Sequence, residues 1–205
     1  MWDVRPETED GRRKFEGQTK SINNKMNTSN RVFIATSLDG FIADSTGKID
    51  FLDTFPEINQ IDSGYAAFMA DIDALVMGRN TLETVCRFDI DWPYEKPVFV
   101  LSRTLTELPE KARDKAELVR GDLPDILDSI HAKGYSKLYI DGGRTIQSFL
   151  EADLIDELTV TVIPVLLGSG IPLFGPLTQP LIFECKKTSL FLDKIVQHQF
   201  VRRRR

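Results

Sequence analysis

The sequence predicts an α/β domain: a mixed, mostly parallel β-sheet flanked by helices, with an antiparallel C-terminal edge. Three observations predict it. Short apolar runs alternate with segments of helical spacing through the middle of the chain. Two β-rich runs follow one another at the end, with no helix between them. The third is size: 205 residues, 41% hydrophobic and 28% charged, suit one ordinary domain and not wholesale disorder.

The first strand is expected at Arg31-Val32-Phe33-Ile34-Ala35-Thr36, leading into the turn-rich Ser37-Leu38-Asp39-Gly40. Tyr65 to Met69 suits a short helix with an apolar face. Ala74-Leu75-Val76-Met77 is apolar throughout and stops at Gly78, as a strand covered on both faces would. Pro97 to Leu101 repeats that form and Glu117 to Arg120 is a weaker copy. Asp122 is placed to cap a helix whose stripe is Ile126, Leu127 and Ile130 and whose stop is Gly134. Lys137 to Ile140 forms the next strand, and Ile146, Phe149 and Leu150 mark the next helix. Glu157 to Val165 is a long β-rich run. Ile182–Thr188 and Lys194–Val201 are expected to pair antiparallel.

Residues 1–30 show no apolar period and too little β-branched or aromatic content to offset their ordering entropy. They are expected to be a disordered extension or the product of a start assigned too early, Met26 lying just before the first strand. The domain is expected to occupy 31–205.

The net charge is −5, but the termini mask a more acidic body. Residues 31–201 carry 16 Lys/Arg against 26 Asp/Glu, while Arg202 to Arg205 form a basic end that reads as solvated. An acidic body argues against non-specific nucleic-acid binding, which depends on neutralising phosphates. No apolar run approaches the ~18 residues of a membrane span, and the polar start does not read as a secretory signal. Cys86 and Cys185 read as packed thiols, and with only His131 and His198 beside them no metal centre is expected. A cytoplasmic protein without nucleic-acid or membrane partners is the expectation.

Three strand exits carry unusual chemistry. They are Met77-Gly78-Arg79-Asn80-Thr81, then Ser102-Arg103-Thr104, then Asp141-Gly142-Gly143-Arg144-Thr145. Each, taken alone, fits a common capped or tight turn as well as a phosphate seat. Together they place three arginines along one sheet edge, which fits a long polyanionic ligand. Neither a Gly-x-Gly-x-x-Gly fingerprint nor a Walker loop occurs.

From Arg31 to Arg202 the chain resembles the dihydrofolate reductase-like superfamily, in the branch of the riboflavin-biosynthesis C-terminal reductase domain. The resemblance rests on Ser37-Leu38-Asp39-Gly40-Phe41-Ile42-Ala43, Met77 to Thr81, Asp141-Gly142-Gly143 and Pro164 to Phe174. It implies an NADPH-dependent reductase, often a homodimer, acting on a small heterocyclic (pterin- or pyrimidine-like) or carbonyl substrate. It places Gly78, Arg79, Asn80, Thr81, Gly142 and Gly143 at the cofactor phosphates, Ser102 and Arg103 at the adenosine 2′-phosphate, and Ala35 against the nicotinamide. It sets Asp39 beside the substrate, as the candidate catalytic carboxylate, with Leu167 and Gly168 closing the pocket. Asp50 and Asp53 fall where the dihydrofolate reductases carry a substrate carboxylate, but each also reads as a solvated loop acid. The zinc deaminase half of the riboflavin enzymes has no counterpart in the sequence. A non-catalytic NADP-binding protein on the same scaffold is the competing expectation.

Overall fold

Valine, phenylalanine and isoleucine at alternating faces drive Ser29–Ser37 (β1) into a strand, with Val32 buried against one layer and Phe33 against the other. A computed structural model of the chain describes residues 28–204. Most of the expected extension therefore lies outside the described residues, though β1 begins at Ser29, two residues earlier than expected.

The elements follow in order. Phe41–Ala43 (β2) precedes two 3₁₀ turns, Asp50–Thr54 and Pro56–Gln60. Then come Tyr65–Ala70 (α1), Ala74–Gly78 (β3), Arg79–Arg87 (α2), Val98–Leu101 (β4), Ala116–Val119 (β5), Leu123–Ala132 (α3), Lys137–Asp141 (β6) and Gly143–Glu151 (α4). The chain ends in Glu157–Ile163 (β7), Ile171–Pro172 (β8), Phe183–Phe191 (β9) and Ile195–Arg202 (β10). Eight strands form one sheet in the order β5-β4-β3-β6-β1-β7-β10-β9. All neighbours from β5 to β7 are parallel, and β10 turns antiparallel against both β7 and β9. The architecture is the one the sequence predicts.

Two apolar layers sandwich the sheet. On one face Val76, Leu138 and Ile140 meet Ile126 and Ile130 of α3 and Ile146 and Phe149 of α4. On the other, Leu75, Met77, Val98, Val100 and Tyr139 pack with Leu82 of α2 and Phe68 of α1. A smaller cluster of Phe51, Ile163 and Ile195 lies beneath the 3₁₀ turns. The strands at the centre are apolar without alternation because both their faces are covered.

Several expectations are corrected. Asp122 occupies the N-cap position of α3 without a side-chain cap bond. Pro124 takes the second helical position, so one of the two amides such a cap would serve is missing. The run expected to reach Val165 ends as a strand at Ile163. Cys185 is not packed: it lies exposed on β9, the open edge of the sheet, whereas Cys86 is half-buried. The basic end is not simply solvated. Arg202 binds Asp153 through two bonds of 2.6 and 3.0 Å, and Arg204 reaches Asp156 at 2.5 Å. The antiparallel ribbon of β2 and β8 was not anticipated, because strands of three and two residues are too short to show a period. Among the described residues no helix is long and apolar enough to cross a membrane.

Candidate active site

β3 and β6 are adjacent and parallel, so the helices that follow them begin side by side. Gly78 is the N-cap of α2 and Gly142 the N-cap of α4, and neither helix receives a side-chain cap bond. Their first amides therefore point as free donors along the strand exits, where two helix dipoles converge. The two starts interlock. Gly142 holds φ +91°, and a Cβ there would collide with Thr81 Oγ1 of α2. A Cβ on Gly78 would stand 2.9 Å from Thr145 Oγ1 of α4. Glycine is required at each N-cap by a threonine of the other helix.

A cleft of about 1710 Å³ runs along these exits. Gly78, Arg79, Asn80, Thr81, Ser102, Arg103, Gly142, Gly143 and Arg144 all line it, so the structure gathers the three sequence motifs into one site. Arg79 is held loosely, 3.3 Å from Thr104 Oγ1 and 3.5 Å from Glu83. Ser102 Oγ accepts the amides of Leu105 at 2.9 Å and Thr104 at 3.3 Å, so it shapes its own turn and keeps a hydroxyl proton to donate. Arg120, at the exit of β5, also lines the cleft and donates to the Leu105 carbonyl at 2.5 Å. The sequence puts Arg120 inside the expected strand Glu117 to Arg120, whereas β5 ends at Val119 and leaves Arg120 at its exit.

The cleft continues past β6 to β1, where Ala35 lines it. Beside it stands a carboxylate that sequence reasoning treated only as the flank of a glycine pair. Asp141 is the last residue of β6, on the same face as Tyr139, and accepts the Gly142 amide at 2.8 Å. Burial pushes its pKa up to about 6, with the Gly142 amide and the Tyr139 hydroxyl acting in the other direction. Burial raises Tyr65, Tyr94 and Tyr139 as well, and the Asp141 charge raises all three further. The Tyr139 hydroxyl donates to the Phe33 carbonyl at 2.8 Å.

Asp39 is engaged by a distant loop. Its carboxylate accepts Ser37 Oγ at 2.6 Å, Leu167 N at 3.1 Å and Gly168 N at 2.8 Å, and none of Asp39, Leu167 or Gly168 lines the cleft. The Ser37 hydroxyl foremost, with those amides, holds Asp39 below the usual carboxylate range despite some desolvation. This carboxylate ties the β1–β2 turn to the loop before β8. Asp50 and Asp53 sit exposed on the first 3₁₀ turn and do not line the cleft either.

The RibD C-terminal domain model matches residues 30–196. This chain belongs to the RibD C-terminal domain family. The Bacillus subtilis protein YwjB is 36% identical over 174 residues, covering 83% of this chain and 96% of its own. A solved protein from Shewanella sp. PV-4, assigned to riboflavin biosynthesis, is 55% identical with a TM-score of 0.83, covering 86% of this chain and 99% of its own. The 2,5-diamino-6-ribosylamino-4(3H)-pyrimidinone 5′-phosphate reductase of Methanothermobacter thermautotrophicus is 26% identical over 167 residues, 65% of this chain and 76% of that one. Dihydrofolate reductase from Enterococcus faecalis shares the fold at a TM-score of 0.58 and 19% identity, over 86% of this chain and 97% of that one. RibD C-terminal domain membership thus confirms the resemblance read from the motifs and makes a reductase-type function the family reading.

Proposed function

We propose that this RibD C-terminal domain is an NADPH-dependent reductase of a small heterocyclic or carbonyl substrate. The observation that carries the reading is the pair of interlocked, uncapped helix starts ringed by arginines in one cleft. Such a cradle suits a pyrophosphate: free N–H donors and converging dipoles at two adjacent helix starts. NADPH, when bound, supplies the hydride.

The chain's own residues would do the rest. Gly78, Arg79, Asn80, Thr81, Gly142 and Gly143 would hold the phosphates, and Ser102 and Arg103 the 2′-phosphate. Ala35 would leave room for the nicotinamide. Asp141, poised near pH 6, is the group able to hold the proton that the reduced nitrogen or oxygen takes up. Asp39, with Leu167 and Gly168, is a positioning residue that fixes the loop before β8. Family resemblance adds a homodimer to the proposal, and sedimentation equilibrium tests that part.

The first experiment is thermal melting with NADPH and with NADH as control. At a hundredfold excess over Kd, a ligand of the folded state adds about 2.7 kcal/mol. Each kcal/mol is worth roughly 2–4 °C in a domain of this size. A rise of several degrees with NADPH alone supports the cofactor. No rise with either nucleotide overturns the reading. A rise without NADPH oxidation across pterin, pyrimidine and carbonyl compounds favours a non-catalytic NADP-binding protein.

A further inference from the structure

The cleft sorts its charges by position. Among the described residues, its lining arginines are Arg79, Arg87, Arg103, Arg120 and Arg144. All stand on α2, on α4 or at the exits of β4 and β5. The part beside β1 is built differently. Phe33 and Ala35 of β1, Leu52 of the first 3₁₀ turn, Tyr94 of the α2–β4 loop and Tyr139 of β6 line it, and the charge among them is Asp141.

A carboxylate set among aromatic walls demands hydrogen-bond donors, since an ionised group there loses water it must replace. The protein supplies few. Gly142 N donates to one oxygen at 2.8 Å, and the Tyr139 hydroxyl is bonded to the Phe33 carbonyl. Phe33, Tyr94 and Tyr139 face the cleft, and Phe68 packs behind two of them, 5.1 Å from Phe33 and 5.1 Å from Tyr139. Flat apolar surfaces with one acceptor at the end suit a flat ring with an N–H edge. A phosphate brought to the same place would meet a carboxylate and ring faces, with Arg79, Arg87, Arg103 and Arg120 following β3, β4 and β5 on the other side of β6 and Arg144 on the first turn of α4.

We propose that the compound taken beside Asp141 is a flat nitrogen heterocycle that carries no phosphate and presents an N–H edge to the Asp141 carboxylate. This rests on the reductase reading and narrows its substrate class. It also separates this chain from the archaeal relative, whose named substrate is a ribosylamino-pyrimidinone phosphate.

The test is calorimetric titration of the full chain, with and without saturating NADP⁺, using a matched pair. One probe is 2,5-diamino-6-ribosylamino-4(3H)-pyrimidinone 5′-phosphate, the other the same compound without its phosphate; 2,4-diaminopyrimidine is a third. The phosphate-free pyrimidines are expected to bind at least tenfold more tightly than the phosphate. Asp141→Asn should weaken them at least tenfold, with melting used to show that it folds. Leu52→Arg, which sets a cation into the neutral wall, should tighten the phosphate form at least tenfold. Tighter binding of the phosphate form to the wild type overturns the proposal, as does an Asp141→Asn variant that binds unchanged. Binding of none of the three pyrimidines also overturns it. Failure of NADP⁺ to bind overturns the reductase reading instead, and the titration without cofactor still decides the ring site.

Discussion

Asp141 shows what a single residue position does here. A carboxyl group normally titrates near 3.8, but burial moves this one to about 6. The folded state then binds a proton more tightly than the unfolded chain does, so ionising Asp141 costs stability. The cost begins as pH rises past 3.8 and is complete above about 6. Asp141→Asn removes it. The variant should melt higher than wild type at pH 8 and about equal at pH 3.5, the difference bounded by roughly 3 kcal/mol at 1.36 kcal/mol per pKa unit. Turnover should move the other way. If Asp141 delivers the proton, the wild-type rate falls as pH rises through about 6, and the variant shows a low rate without that step. A gain in stability with a loss of activity would mark a group retained for function. Arg103 offers a second residue-scale prediction. Arg103→Ala should weaken NADPH by about 10–100-fold, the equivalent of one charge-assisted contact of roughly 1.5–3 kcal/mol, and leave NADH nearly unchanged. Arg79→Ala should weaken both. Equal wild-type affinities for the two nucleotides would remove the 2′-phosphate assignment.

At the scale of elements, the site is a property of two helix starts rather than of any motif. The strand–glycine–helix turns after Met77 and Ile140 were legible because each is local: an apolar run, a glycine, then helical spacing. That the turns stand side by side follows from β3 pairing with β6, two strands whose first residues, Ala74 and Lys137, lie 63 positions apart. No local pattern carries that pairing. Gly142→Ala tests the interlock. It combines a residue at φ +91° with a collision against Thr81, so it should lower stability by about 1–3 kcal/mol and weaken NADPH. Adding Thr81→Ala should recover the steric part and leave the backbone part, as a double-mutant cycle in chemical denaturation would show. Additivity of the two changes would mean that the helix starts do not press on each other. The β2–β8 ribbon and the grip of Asp39 on Leu167 and Gly168 were out of reach for the same reason: their partners lie more than a hundred residues apart.

At the scale of the whole molecule, the C-terminal arginines close the fold. Arg202 is nearly buried and forks onto Asp153, whose backbone holds φ +53°. Asp156 accepts the Asn30 amide and the Arg204 guanidinium, and so joins the start of β1 to the chain end. Arg202→Ala should cost about 1–3 kcal/mol, a fall of several degrees in Tm, because it strips two charge-assisted bonds from a half-covered carboxylate. An unchanged Tm would return these arginines to the solvated role read from sequence. The Arg202 hydrogen bond leads in holding Asp153 below its usual 3.8, so this contribution is present above that pH and fades as the medium is acidified through the lowered value.

The sequence by itself determined what short-range physics encodes. Apolar runs and helical spacings specified the α/β order and the antiparallel edge, and three strand-exit motifs marked the ligand end of the sheet. Tertiary structure alone decided which carboxylate faces the cleft. Asp39 and Asp141 are equally ionisable along the chain. One meets a hydroxyl and two amides from a distant loop and stays an exposed anion, while the other meets three tyrosines and loses its water. Solvation is set by neighbours in space, and the chain brings those neighbours together only when it folds.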